Sequence, residues 1–196
     1  MEKRECEAVI DRLEASKYMV SKLKDELVVA SLGNEKKDLA EAEDRDLNFY
    51  MWNSMGMASS MGLGLAMARP DTKVITLDGA GSLLMNLGSL ATATVNNPPN
   101  LVHICWDNRM YQLTGEQPTA TAFRTDLAKV AEGCGFASVA RCETLDAFKA
   151  AFDNALAEPG PHFILALNDE KGSKGVIPKS PTYIRHRFMR ALGLDS

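Results

Sequence analysis

The sequence predicts an α/β domain built on a doubly wound, mainly parallel sheet with helices on both faces. Two observations lead there. Short apolar, often β-branched runs alternate with segments of helical period. The runs are also continuously apolar rather than alternating, as strands covered on both faces are, and repeated β-α units of this kind build a doubly wound fold.

The elements follow in order. The opening "MEKRECEAVIDRLEASKYMV" reads as a charged amphipathic helix, so residues 1–26 form an N-terminal helical segment and 27–196 the main domain. Strands are expected at 27–31, 73–77, 101–106, 137–140 and 163–167. Helices are expected at 57–69, 82–95, 126–134 and 144–157. The last carries Leu145, Phe148, Phe152, Ala155 and Leu156 on one face, with Thr144 as N-cap. "NNPPN" is a turn. The polar run 168–181, after the last strand, either lines a ligand site or connects to the C-terminal helix through solvent. In that helix Ile184, Phe188 and Leu192 share a face, with Arg185, Arg187 and Arg190 around it; it docks on the domain or on a partner, and His186 is a surface residue.

Composition narrows the function. A chain of 196 residues, 45% hydrophobic with net charge −4, is an ordinary globular protein. It has no basic stripe for nucleic acid and no apolar run that would span a membrane. The N-terminus has no signal-peptide core. Cys6, Cys105, Cys134 and Cys142 form no CxxC pair, and His103, His162 and His186 are scattered, which argues against zinc and for a reduced, cytoplasmic setting.

The chemistry-bearing stretch is "LDGAGSLLMNLGSL", from Leu77 to Leu90. A strand, then Gly79-Ala80-Gly81-Ser82, then a helix suits a phosphate, because glycines let the backbone approach and a helix N-terminus offers free N–H groups. A dinucleotide fingerprint fits poorly. Leu84 stands at its third glycine, and no acid follows some twenty residues on. "GLGLAM" at 62–67 fails the same test. A glycine-flanked turn at one strand end and Asn108 at the next instead resembles the motif of thiamine diphosphate (ThDP) enzymes. Two adjacent parallel strands must then end side by side, each giving oxygen to one hard cation.

The resemblance is wider than this pair. "VVASLGNEKKDL", "NFYMWNSMGMASSMGLGLAMARPDTKVITLDGAGSLLMNLGSLAT" and "WDNRMYQLTGEQPT" are similar to sulfopyruvate decarboxylase small subunits and to the C-terminal part of phosphonopyruvate decarboxylases. It implies that 27–196 is a ThDP diphosphate-binding domain, with ThDP and Mg²⁺ as cofactors. Asn108 and the Met110 carbonyl would hold the metal, and Gly79, Gly81 and Ser82 would sit against the diphosphate. Met55 would wedge beneath the cofactor. Gly33, Asn34, Asn53, Ser54 and Tyr111 would complete the cofactor site.

The family pattern has Asp where this chain has Ala80, so the metal would lose a carboxylate. Asp78 lies on the same strand face, but the family has Asp there too, in a separate role. The domain that supplies the activating glutamate is missing, which implies a pyrimidine-binding, α-type partner subunit. The implied reaction is decarboxylation of an anionic 2-oxo acid, sulfopyruvate or 3-phosphonopyruvate, to carbon dioxide and an aldehyde. Lys171 and Lys174 are candidate anion contacts; Tyr111, Gln112, Thr114 and Gln117 could face substrate, and Glu116 would repel a dianion if it pointed inward. A metal-impaired structural subunit and a ThDP carboligase are the alternatives.

Overall fold

The computed structural model describes residues 10–178 and 180–194. The first nine residues of the expected N-terminal helix, with Cys6, lie outside them. Strands β1 (Leu27–Ala30), β2 (Asn48–Tyr50), β3 (Val74–Gly79) and β4 (Leu101–Asp107) come first. A small hairpin of β5 (Met110–Tyr111) and β6 (Gln117–Pro118) follows, then β7 (Ser138–Cys142) and β8 (His162–Leu167). The six longer strands form one sheet in the order β2-β1-β3-β4-β8-β7, and every pair in it is parallel. The expected doubly wound fold is therefore present. The chain builds outward from β1 to β2, then crosses back to β3 and proceeds the other way. Clefts for ligands open at such a reversal, beyond the carboxyl ends of the strands.

The helices are α1 (Arg12–Lys22), α2 (Asn34–Ala42), α3 (Ala58–Ala68), α4 (Ala80–Leu83), α5 (Gly88–Asn96), α6 (Leu127–Cys134), α7 (Leu145–Ala157) and α8 (Pro181–Ala191). Alternate strand residues feed two cores. Val28, Ile75, Leu77, Val102 and Ile104 pack with Met19 of α1 and Phe148 and Phe152 of α7. Val74, Leu101, Cys105 and Phe163 pack on the other face with Leu63, Leu90 and Leu127. Continuous apolar strands follow from this arrangement, since both faces must be filled.

Several elements depart from the sequence expectations, the unexpected hairpin β5–β6 among them. The helix expected over 82–95 is broken: α4 gives way to a 3₁₀ turn, Leu84–Asn86, before α5 starts. Ser89 Oγ donates to the Asn86 carbonyl at 2.7 Å and Leu90 N bonds back to Leu87 O, tightening the turn. Helix α2 and strand β2 occupy 34–50, where no element was expected. Leu39 is the one fully buried apolar residue of α2, so periodicity is weak there. Polar contacts hold the helix instead: Asp38 pairs with Arg12 at 2.5 Å, and Lys36 Nζ donates to the Met51 carbonyl at 2.9 Å.

Helix α8 docks on the domain itself, over edge strand β2. Phe188 meets Phe49 edge to face at 5.4 Å. Arg187, read from sequence as one of the charges around the apolar face, is buried; it bonds Asp44 at 2.8 Å and lies over the Tyr50 ring. His186 is exposed.

Histidine 103 makes the fold acid-sensitive. It is buried in β4, stacked on Phe163 at 5.4 Å, and its Nε2 has no hydrogen-bond partner. Burial pushes its pKa down from 6.5 to about 4. Between these values the unfolded chain binds a proton that the folded chain refuses. Stability from this group is thus intact above pH 6.5 and lost as pH falls toward 4, at about 1.4 kcal/mol per pH unit. Buried Asp78, whose pKa is raised, contributes the opposite slope over the same range, so His103 is read as a difference: the urea-derived stability of the wild type minus that of His103→Gln should rise by about 1.4 kcal/mol per pH unit between pH 4 and 6.5.

Candidate functional site

The carboxyl ends of β1, β3, β4 and β8 surround one cleft of about 650 Å³ measured to its open mouth. It opens at the β1/β3 reversal. Strands β3 and β4 are adjacent with Gly79 opposite Trp106, so the turn at 79–82 and Asn108 emerge side by side. Gly33, Asn34, Met55, Gly79, Ala80, Gly81, Ser82, Asn108, Met110 and Tyr111 all line the cleft. Asn53 and Ser54 do not; they lie exposed on its approach, both in the left-handed region at φ 61° and 65°.

That strained loop is pinned where it returns to the domain. Gly56, at φ 82°, donates its N–H to Ser82 Oγ at 2.9 Å, and its carbonyl accepts from Asn86 Nδ2 at 2.9 Å. Non-glycine residues in this region cost of order 1–3 kcal/mol each and persist where the surroundings enforce them. The enforced loop fixes Met55 at the cleft wall.

The floor is a tight glycine turn. A Cβ on Gly81 would lie 2.6 Å from Tyr111 Cε1, so only glycine lets the ring pack there. Gly79, the N-cap of α4, has no side chain to bond the first helical N–H groups. Beneath the turn, Asp78 is fully buried and neither carboxylate oxygen has a hydrogen-bond partner. Burial raises its pKa to about 7, against the pull of the nearby Ser82 and Ser31 hydroxyls, which bond each other at 3.2 Å. Asp78 does not line the cleft.

The wall opposite is a polar lattice. Asn108 Oδ1 accepts from Met110 N at 3.1 Å, and Asn108 Nδ2 donates to Gln112 Oε1 at 3.2 Å. Asn34 Nδ2 donates to the same Gln112 oxygen at 2.8 Å. The long loop closes one side: Gln112 Nε2 donates to the Glu170 carbonyl, and Ser173 Oγ to the Asn34 carbonyl at 3.1 Å. Lys171 faces elsewhere, held by Asp11 at 2.9 Å and Asp169 at 3.0 Å, and Lys174 lines a neighbouring hollow with Asp11 and Asp169. Thr114 is at the cleft rim, while Gln117 lies outside it.

Seven cleft residues were not singled out in the sequence: Arg12, Ser31, Leu32, Glu35, Trp106, Leu113 and Asn168, the last of them the first residue of the polar run 168–181. Arg12 and Glu35 are charged yet buried, which no local pattern announces. Trp106 Nε1 and Asn168 Oδ1 are buried without partners. Asn168 follows β8 directly, so its position after a strand end was the available signal.

Comparison with known proteins now decides the family. The model of the thiamine pyrophosphate enzyme C-terminal TPP-binding domain matches residues 37–166. The chain belongs to this family. The TPP-binding domain is 44% identical to a sulfopyruvate decarboxylase subunit beta of Methanocaldococcus jannaschii, over 85% of this chain and 88% of that one. A subunit of the same name from Methanococcus maripaludis is 39% identical over 93% of this chain and 98% of its own. A phosphonopyruvate decarboxylase of Streptomyces viridochromogenes is 40% identical over 78% of this chain and 38% of the relative. The solved 4-hydroxybenzoylformate decarboxylase of Rhodococcus jostii matches with TM-score 0.71 at 22% identity, over 86% of this chain and 34% of that chain. That likeness shows the fold.

The residues present fit ThDP, the family's cofactor. The glycine turn lines the cleft, and the first N–H groups of α4 have no side-chain cap, as suits an anion. Asn108 and the Met110 carbonyl are oxygen donors of the kind Mg²⁺ prefers. Among the described residues no group of three or more His, Cys, Asp or Glu could hold a metal alone. Ala80 is 2% exposed and offers no ligand.

Proposed function

We propose that this chain is the diphosphate-binding subunit of a heteromeric ThDP-dependent decarboxylase. Its substrate is sulfopyruvate or a similarly anionic 2-oxo acid such as 3-phosphonopyruvate, released as carbon dioxide and an aldehyde. The 44% identity to a sulfopyruvate decarboxylase beta subunit, over most of both chains, carries this reading. A pyrimidine-binding, α-type subunit supplies the glutamate that activates the cofactor.

When bound, ThDP supplies the nucleophilic carbon and the electron sink for loss of carbon dioxide. The residues of this chain hold and orient it. Gly79 and Gly81 admit the diphosphate to the backbone, and Ser82 sits beside it. Asn108 and the Met110 carbonyl hold Mg²⁺. Met55, fixed by the strained loop, would wedge beneath the cofactor, with Asn53 and Ser54 beside it in the chain. Gly33, Asn34 and Tyr111 form the remaining walls. The described residues include no helix long and apolar enough to cross a membrane. With Cys105, Cys134 and Cys142 all free, the proposed setting is the cytoplasm.

Carbon dioxide release by the assembled enzyme tests the assignment. Sulfopyruvate should turn over with kcat/KM at least tenfold above pyruvate; preference for pyruvate would remove the anionic substrate from the proposal. Ala80 favours one other reading, a structural subunit with impaired metal binding. That reading expects no turnover with any 2-oxo acid.

A further inference from the structure

Taking the cleft as the ThDP and Mg²⁺ site, the protein ligands found so far are neutral: an amide oxygen and a backbone carbonyl. A dication beside a diphosphate is ordinarily also met by one or two protein carboxylates. The cleft contains one. Glu35, in the first turn of α2, is 5% exposed and lines the cleft with Ala80, Asn108 and Met110. Its Oε1 accepts from Gly33 N at 2.9 Å. Its Oε2 lies 4.0 Å from where a Cβ on Gly79, the neighbour of Ala80, would stand. The carboxylate is thus bonded to the turn after β1 and faces the turn after β3, at the reversal of the sheet.

This placement is built into the sequence. A Cβ on Gly33 would fall 2.2 Å from Glu35 Oε2, so only glycine leaves room for the side chain to fold back. Among the described residues no basic side chain forms an ion pair with Glu35. Arg12 is turned to Asp38, the Lys171 carbonyl and Ser173, and Lys36 to the Met51 carbonyl. The neighbouring Asp78 is equally unpaired. Arg12 and Lys36 are close enough to act on Glu35 but form their contacts elsewhere; buried carboxylates outside an ion pair are costly, and a bound cation offsets that cost.

We propose that Glu35 supplies the carboxylate that Ala80 cannot, as the anionic protein ligand of the divalent ion on the diphosphate. The acid has moved from the β3 turn to the first turn of α2, across the same cleft. Glu35 then repels the diphosphate whenever the metal is absent, so cofactor binding is strictly metal-coupled.

Mn²⁺ binding to the enzyme assembled with its partner subunit and ThDP, followed by electron paramagnetic resonance, tests this without recourse to activity. Glu35→Gln should weaken Mn²⁺ by at least about 10- to 100-fold, the range lost with mere outer partners of a metal. Adding Ala80→Asp to Glu35→Gln should restore most of the loss. ThDP titrated without metal should bind the Glu35→Gln enzyme more tightly than the wild type, the opposite sign to the metal-loaded titration. Unchanged Mn²⁺ affinity in Glu35→Gln, with ThDP still bound, would overturn the Glu35 assignment alone. Absence of ThDP binding to the wild-type enzyme with Mn²⁺ would overturn the site reading and this proposal together.

Discussion

Gly81→Ala should weaken ThDP binding to the assembled enzyme about tenfold to a hundredfold, read by calorimetric titration with saturating Mg²⁺. The added methyl would stand 2.6 Å from Tyr111 Cε1 and 2.7 Å from Cδ1, with Thr119 Cγ2 at 3.3 Å behind. Overpacking of this kind costs about 1–3 kcal/mol, and each 1.4 kcal/mol is tenfold in affinity. The ring cannot stay in place, and Tyr111 shares the two-residue strand β5 with Met110, a proposed metal ligand. The distortion therefore falls on the cofactor site. Tyr111→Ala in the Gly81→Ala background should recover a good part of the affinity by removing the clash. Equal affinity in Gly81→Ala and wild type would mean that the diphosphate does not use this turn.

Arg12→Met should lower unfolding free energy by about 3–5 kcal/mol, measured as a shift in urea midpoint at constant m-value. Arg12 and Asp38 have side chains 4% exposed and meet at 2.5 Å. Removing one member leaves a buried, uncompensated charge, which is worth far more than the pair itself. The same arginine ties down the loop after β8, through the Lys171 carbonyl at 3.2 Å and Ser173 Oγ at 3.0 Å. Ser173 in turn holds Asn34 at the cleft. Arg12→Met should thus also loosen the loop, raising hydrogen exchange at 170–173 more than in β3. Arg12→Met with Asp38→Leu should regain most of the stability. A loss under 1 kcal/mol in the single variant would show the pair to be dispensable.

The sheet was legible because parallel strands covered on both sides must be apolar throughout, and 73–77 and 101–106 carry that signal undiluted. The site was legible where spacing maps onto topology: Gly79 and Asn108 leave adjacent strands at matched height, as their separation in sequence required. What stayed hidden is held by polar contacts between distant residues. Glu35, Lys36 and Asp38 look like a solvated helix face in "GNEKKDL", yet all three are buried, because Arg12, Met51 and the cleft take up their polar ends. Ser89 and Asn86 break an apolar helical pattern through hydrogen bonds that hydrophobic periodicity does not register. Asn53 and Ser54 sit beside Met55 in sequence, but their left-handed backbone carries them out of the cleft that Met55 enters.

The central claim is that this chain holds one half of a shared active site. The direct measurement is carbon dioxide release from sulfopyruvate, with ThDP and Mg²⁺, by this chain alone, by the pyrimidine-binding subunit alone, and by the two combined. Turnover is expected only in the combination. Robust turnover by this chain alone would contradict it, because no glutamate from a second subunit would then be needed.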